Sequence, residues 1–74
     1  MFTGKDALDK IVGENLKRLR TEAGKTAIAL GVKLYHDESV IRRWEKSCND
    51  LQVLEEYAKE FGITDITEFF RVRK

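Results

Sequence analysis

The sequence predicts an all-α domain of five helices. Apolar residues recur at steps of three and four, and residues that cap or stop helices punctuate them at regular places. The alternation of a half-buried strand occurs nowhere. With 74 residues the chain suffices for one small domain. A chain this short buries about 60–65% of its unfolded surface, so its core must be shared among short elements.

The first helix is expected over about Asp6 to Ala23, with Leu8, Val12, Leu16, Leu19 and Ala23 as its apolar stripe. Arg20 suits the helix C-terminus and Gly24 a left-handed stop. Thr26 caps a short second helix that turns Ala27, Leu30, Gly31 and Leu34 inward. Asp37 caps a third, running through Val40, Ile41 and Trp44 to about Lys46. Ser47-Cys48-Asn49-Asp50 reads as a turn ending in another cap. Leu51, Leu54, Tyr57, Ala58 and Phe61 then form the stripe of a fourth helix, closed by Gly62. Thr64 or Asp65 opens the fifth, with Ile66, Phe69, Phe70 and Val72 apolar and Arg71, Arg73 and Lys74 at its end. Residues 1–10 read as an N-terminal extension continuing into the first helix, and residues 11–74 as the domain. The second and third helices are shorter than the roughly 12–15 residues an isolated helix needs in water, so the first and fourth must hold them. Two short helices joined by a tight turn and clamped between longer ones form the helix-turn-helix layout.

Composition excludes several classes of function. A hydrophobic fraction of 42% is too high for a disordered tail, and a net charge of +1 excludes a histone-like, purely electrostatic binder. Positive charge gathered on one face is compatible with both figures. The longest apolar run, Ala27 to Val32, is far below the roughly 18 residues of a membrane span, and Met1 to Asp6 lack the apolar core of a signal peptide. No membrane partner is expected. The lone Cys48 excludes an internal disulfide or a zinc site and reads as chemically idle, in an expected cytoplasmic, reducing setting. No nucleophile–base pair, metal-ligand set or phosphate-cradling glycine loop appears, so no enzyme, cofactor or small-molecule substrate is expected. Asp37 and Glu38 point about 100° apart on a helix, which suits a cap and not an acid/base pair. His36 lacks partners at metal spacing and reads as an exposed turn residue, while Trp44 reads as core packed on Leu16 or Leu19.

The string Gly13-Glu14-Asn15-Leu16-Lys17-Arg18-Leu19-Arg20, then Glu22-Ala23-Gly24 and Thr26, resembles the first helix and turn of the Cro/repressor-type (XRE-like) helix-turn-helix domains. Without a gap, Leu30, Leu34, Ile41, Trp44 and Glu45 fall where that family has core residues and a Trp-Glu pair. Leu54-Glu55, Tyr57-Ala58-Lys59 and Gly62-Ile63 are similar to its fourth helix, so the likeness covers Ile11 to Phe70. The resemblance implies a five-helix Cro/repressor-like fold whose third helix enters the major groove of duplex DNA, with the N-terminus of the second on a phosphate. It implies Thr26 and Ala27 at the DNA backbone, Glu38, Ser39 and Arg43 facing bases, and Arg42 and Lys46 near the groove rim. It also implies a structural ion pair between Arg20 and Glu45 that fixes the angle of the third helix. The function so implied is a sequence-specific, repressor-like regulator of transcription, a homodimer occupying an operator without a cofactor.

The sequence departs from that family's pattern at several positions. Ala27 replaces a common Gln, and Tyr35 stands where Gly usually takes a left-handed conformation, so the turn must differ or be strained. From Asp37 to Lys46, Asp37, Glu38 and Glu45 balance Arg42, Arg43 and Lys46, and the loop that follows is short. Ile28, Val32 and Tyr35, at i, i+4 and i+7, put an apolar stripe where relatives carry polar residues. Either the stripe is an interface, or rotation of the helix or the segment Met1 to Leu8 covers it. As an interface it gives an alternative function: a protein-interaction module on the same scaffold, an antirepressor or partner-binding regulator. Glu38 is read either as an acceptor from cytosine or as a solvated charge. Of the adjacent Phe69 and Phe70, one is expected in the core and the other outward as a homodimer contact. Arg71, Arg73 and Lys74 read either as a phosphate-contacting tail or as a favourable helix end.

Overall fold

The computed structural model describes residues 5–72. It consists of α1 (Lys5–Glu22), α2 (Ala27–Leu34), α3 (Glu38–Lys46), α4 (Leu51–Phe61) and a 3-10 helix (Ile66–Phe70), with no strand among the described residues. Met1 to Gly4 of the expected extension, and Arg73 and Lys74 of the basic segment, lie outside the described residues.

Local chemistry accounts for most boundaries. Thr26 Oγ1 accepts from the Ala29 N–H at 3.1 Å and opens α2. Asp50 accepts from Gln52 N–H at 2.9 Å to open α4, and Asp65 from Thr67 N–H at 3.0 Å to open the 3-10 helix. These side chains satisfy donors that a helix start leaves without partners. Asp37 occupies the cap position of α3, but its side chain makes no capping hydrogen bond. α1 ends at Glu22, one residue before Ala23, which is exposed beside the left-handed Gly24.

α2 closes in a way that only part of the sequence pattern anticipates. Tyr35 adopts φ 63° and ψ 41°, the left-handed conformation usually given to glycine. Its N–H donates to Val32 O at 3.4 Å, while the His36 N–H donates to Gly31 O at 2.8 Å. Those two bonds form a Schellman turn, so the turn geometry is kept and the strain is accepted. Gly31 is required because a Cβ there would run into the His36 carbonyl oxygen.

The core is centred on Leu16, Leu30, Ile41, Tyr57 and Phe69, each essentially without solvent exposure. α1 packs against α3 and the 3-10 helix, α2 against α3, and α4 against the 3-10 helix. Where the α3–α4 loop crosses α1, the Cys48 N–H donates to Asp9 O at 3.1 Å. A Cβ on Gly13 would stand 2.8 Å from Glu45 O, so glycine lets the end of α3 approach the axis of α1. Buried Asn15 joins α1 to the C-terminal segment, its Nδ2 donating to Phe69 O and Arg71 O at 2.8 Å each.

The structure corrects two sequence expectations. Leu8 and Leu51 are 39% and 69% exposed, and Val53 takes the inward place on α4. In place of a fifth α-helix stands the five-residue 3-10 helix, with Phe69 buried and Ile66 exposed. Trp44 packs against the core, as expected, though half-buried, edge-on to His36 at 4.8 Å and to Tyr57 at 6.3 Å between centroids. His36 is exposed between α2 and α3, as expected, and its ring also meets Trp44, with Nε2 at 3.5 Å from Glu56 Oε1.

Candidate nucleic-acid interface

α3 has two unlike faces. Ile41 and Glu45, four residues apart, point inward and are buried. Ser39, Arg43 and Lys46 are spaced i, i+4 and i+7 on the other side and are exposed. Arg43 and Lys46 make no ion pair among the described residues.

The inward face is held by charge. Arg20 Nε donates to Glu45 Oε2 at 2.5 Å and Nη2 to Glu45 Oε1 at 3.1 Å, a two-pronged contact across α1 and α3. Arg20 Nη1 also donates to Lys25 O at 2.9 Å, tying the loop before α2 to the same guanidinium. Both side chains are largely shielded, and the bonded carboxylate raises the Arg20 guanidinium further above its ordinary range against the opposing effect of burial. Removing one partner from such a pair costs about 3–5 kcal/mol, because the other charge is left buried alone. The angle of α3 against α1 is thereby fixed.

The other residues that the resemblance assigns to DNA fare differently. Thr26 is exposed, with its hydroxyl engaged in capping. The Ala27 side chain is 2% exposed and belongs to the core, so only its backbone at the start of α2 can face an anion. Glu38 and Arg42 engage each other, Arg42 Nε at 2.8 Å and Nη2 at 2.7 Å from Glu38 Oε2, on the rim of α3. Each thus screens the other before any ligand arrives. Of the two adjacent phenylalanines Phe69 is the core residue, at 1% exposure, and cannot serve as an outward dimer contact; Phe70 is half-buried. Ile28, Val32 and Tyr35 stand out from α2 at 60%, 73% and 92% exposure, so rotation of the helix does not cover them. Lys5 to Leu8 continue α1.

Lys17 is absent from the residues that the resemblance implies, yet it lines a cleft of about 330 Å³ with Arg42, Glu45 and Lys46. The signal lies in the helix period: Lys17 precedes Arg20 by three residues, and the Arg20–Glu45 contact brings that face of α1 beside α3. The carboxylate of this cleft is already neutralised by Arg20, which leaves cations to set its potential. The described residues contain no group of three or more His, Cys, Asp or Glu able to hold a metal, and no helix long and apolar enough to cross a membrane. Comparison with family models, curated proteins and solved structures finds no match to this chain.

Proposed function

We propose that this chain is a Cro/repressor-like helix-turn-helix domain that binds specific sequences in duplex DNA and regulates transcription by occupying an operator. The observation that carries the reading is the outward row Ser39, Arg43 and Lys46, on a helix locked in place by the buried Arg20–Glu45 contact. A short helix presented at a fixed angle, with cations and a small hydroxyl on its free side, suits insertion into a major groove of about 12 Å width. Lys17 and Lys46 supply phosphate contacts at its flank, and the start of α2 offers backbone donors to another phosphate. Arg43 is the residue assigned to base reading. Arg43→Ala is expected to cost about 1–3 kcal/mol at one base position when affinities for a panel of single-base variants are compared. Equal loss on every sequence would reduce Arg43 to a phosphate contact.

A second reading, a protein-interaction module using α2, is favoured by the exposure of Ile28, Val32 and Tyr35. Ile28→Glu separates the two. It leaves specific DNA affinity unchanged under the first reading and abolishes capture of a protein partner under the second.

A further inference from the structure

Two apolar grooves adjoin each other on a part of the surface that shares no lining residue with the α3 cleft. One, of about 300 Å³, runs between α4 and the 3-10 helix, with Ala58, Ile63, Ile66 and Phe69 in its walls. The other, of about 140 Å³, lies where α1 meets the α3–α4 loop, beside Leu8 and Phe70. Leu51 and Leu54 line both, so one apolar surface continues across them. Leu8, Leu51 and Ile66 rim it at 39%, 69% and 52% exposure. A contiguous exposed apolar surface rimmed by polar residues is the kind that marks an interaction site.

The charges decide what fits. The only ionisable carboxylates lining the grooves are Asp9 and Glu55, and no Lys or Arg lines either one among the described residues. Asp50 and Asp65, the exposed caps next to Leu51 and Ile66, add two more carboxylates at the edge. Arg71 stands nearby in the sequence but is engaged by Glu68 at 2.6 Å. Carboxylates thus edge this apolar face, whereas the α3 cleft is lined by Lys17, Arg42 and Lys46 with Glu45.

We propose that this face docks a basic amphipathic segment of a partner protein, its apolar row seated over Leu51 and Ile66 and its Lys or Arg residues facing Asp9 and Glu55. Two acidic rims brought together repel, which disfavours a second copy of this chain, and the same rims repel nucleic acid. An amphipathic helix laid in an apolar groove is a common mode of peptide recognition, and complementary charge at the rim sets its specificity.

The test uses two short synthetic helical peptides with leucine at i, i+3, i+4 and i+7, one with lysine and one with glutamate elsewhere. Each is titrated into the full chain, with affinity read by calorimetry and location by amide chemical shifts. The lysine peptide is expected to bind about tenfold or more tightly than the glutamate peptide and to shift amides of α4 and the 3-10 helix. Leu51→Asp abolishes that binding while keeping the fold, since an acid suits the first position of a helix. Asp9→Lys combined with Glu55→Lys reverses the preference. Equal binding of both peptides, no binding, shifts confined to α2 or α3, or binding indifferent to Leu51→Asp would overturn the proposal. So would self-association abolished by Leu51→Asp, which would assign the face to a second copy.

Discussion

Tyr35 holds φ 63° with its side chain 92% exposed, so no packing offsets the cost of the left-handed conformation. For a residue with a Cβ that cost is on the order of 1–2 kcal/mol, reduced by the greater freedom glycine has in the unfolded chain. Tyr35→Gly is therefore expected to stabilise the fold by about 0.5–1 kcal/mol, read as a higher denaturant midpoint at unchanged slope. A lower midpoint would mean that the tyrosine side chain holds the turn. The departure from glycine at this position was visible in the sequence, and so were the caps Thr26, Asp50 and Asp65, because each rests on local chemistry. Ala27 was less legible. It sits at the first position of α2, but its side chain is drawn into the core by packing that no local pattern encodes. Asn15 was legible in principle, as a polar residue on the apolar face between Val12 and Leu16, though its partners lie more than fifty positions away.

At the scale of elements, α1 and α3 meet at Gly13, where a Cβ would stand 2.8 Å and 2.9 Å from backbone atoms of Glu45, Lys46 and Ser47. In a helix interior Gly→Ala gains about 1 kcal/mol of propensity. Here the obstructing atoms are backbone and cannot swing aside, so overpacking at about 1–3 kcal/mol outweighs that gain. Gly13→Ala is expected to lower the melting temperature and, by tilting α3, to weaken the proposed DNA binding with it. A raised melting temperature with unchanged binding would show that the crossing is looser than this geometry. Helices α1 to α4 were legible because period and caps agree along each. The last element was read as a longer α-helix because apolar spacing alone does not distinguish one turn from three. Asn15 ties down its end instead, its amide donating to the Phe69 and Arg71 carbonyls, a tertiary contact that no local spacing encodes. Leu51 was misplaced for a related reason, since an apolar residue just after a cap satisfies the helical period whether or not a neighbour covers it.

For the whole molecule, the net charge of +1 does not show where charges meet: three cations and one carboxylate line the α3 cleft, and two carboxylates line the apolar grooves beside α4. Spacing along the chain placed Arg42, Arg43 and Lys46 together, but Lys17 and Asp9 join their groups only through tertiary contact. Two buried groups set the response to alkali. Burial pushes the Cys48 thiol above its ordinary 9.0 and the Tyr57 hydroxyl, which has no hydrogen-bond partner among the described residues, above its ordinary 10.0. Groups raised on folding contribute stability that is complete below their ordinary values and is lost as pH rises through the folded ones. The melting temperature is accordingly expected to hold up to about pH 9 and to fall beyond it, with Tyr57→Phe flattening the fall above about pH 10. A fall unchanged by Tyr57→Phe would place its origin elsewhere.

The most direct test of the proposed DNA reading is selection of the full chain against a random duplex library, at low and then at physiological salt. One enriched site that survives the higher salt, and whose enrichment disappears at a single base position with Arg43→Ala, is the expected result. Weak binding without enrichment, fading steeply with salt and indifferent to Arg43→Ala at any one position, would contradict sequence-specific recognition by α3.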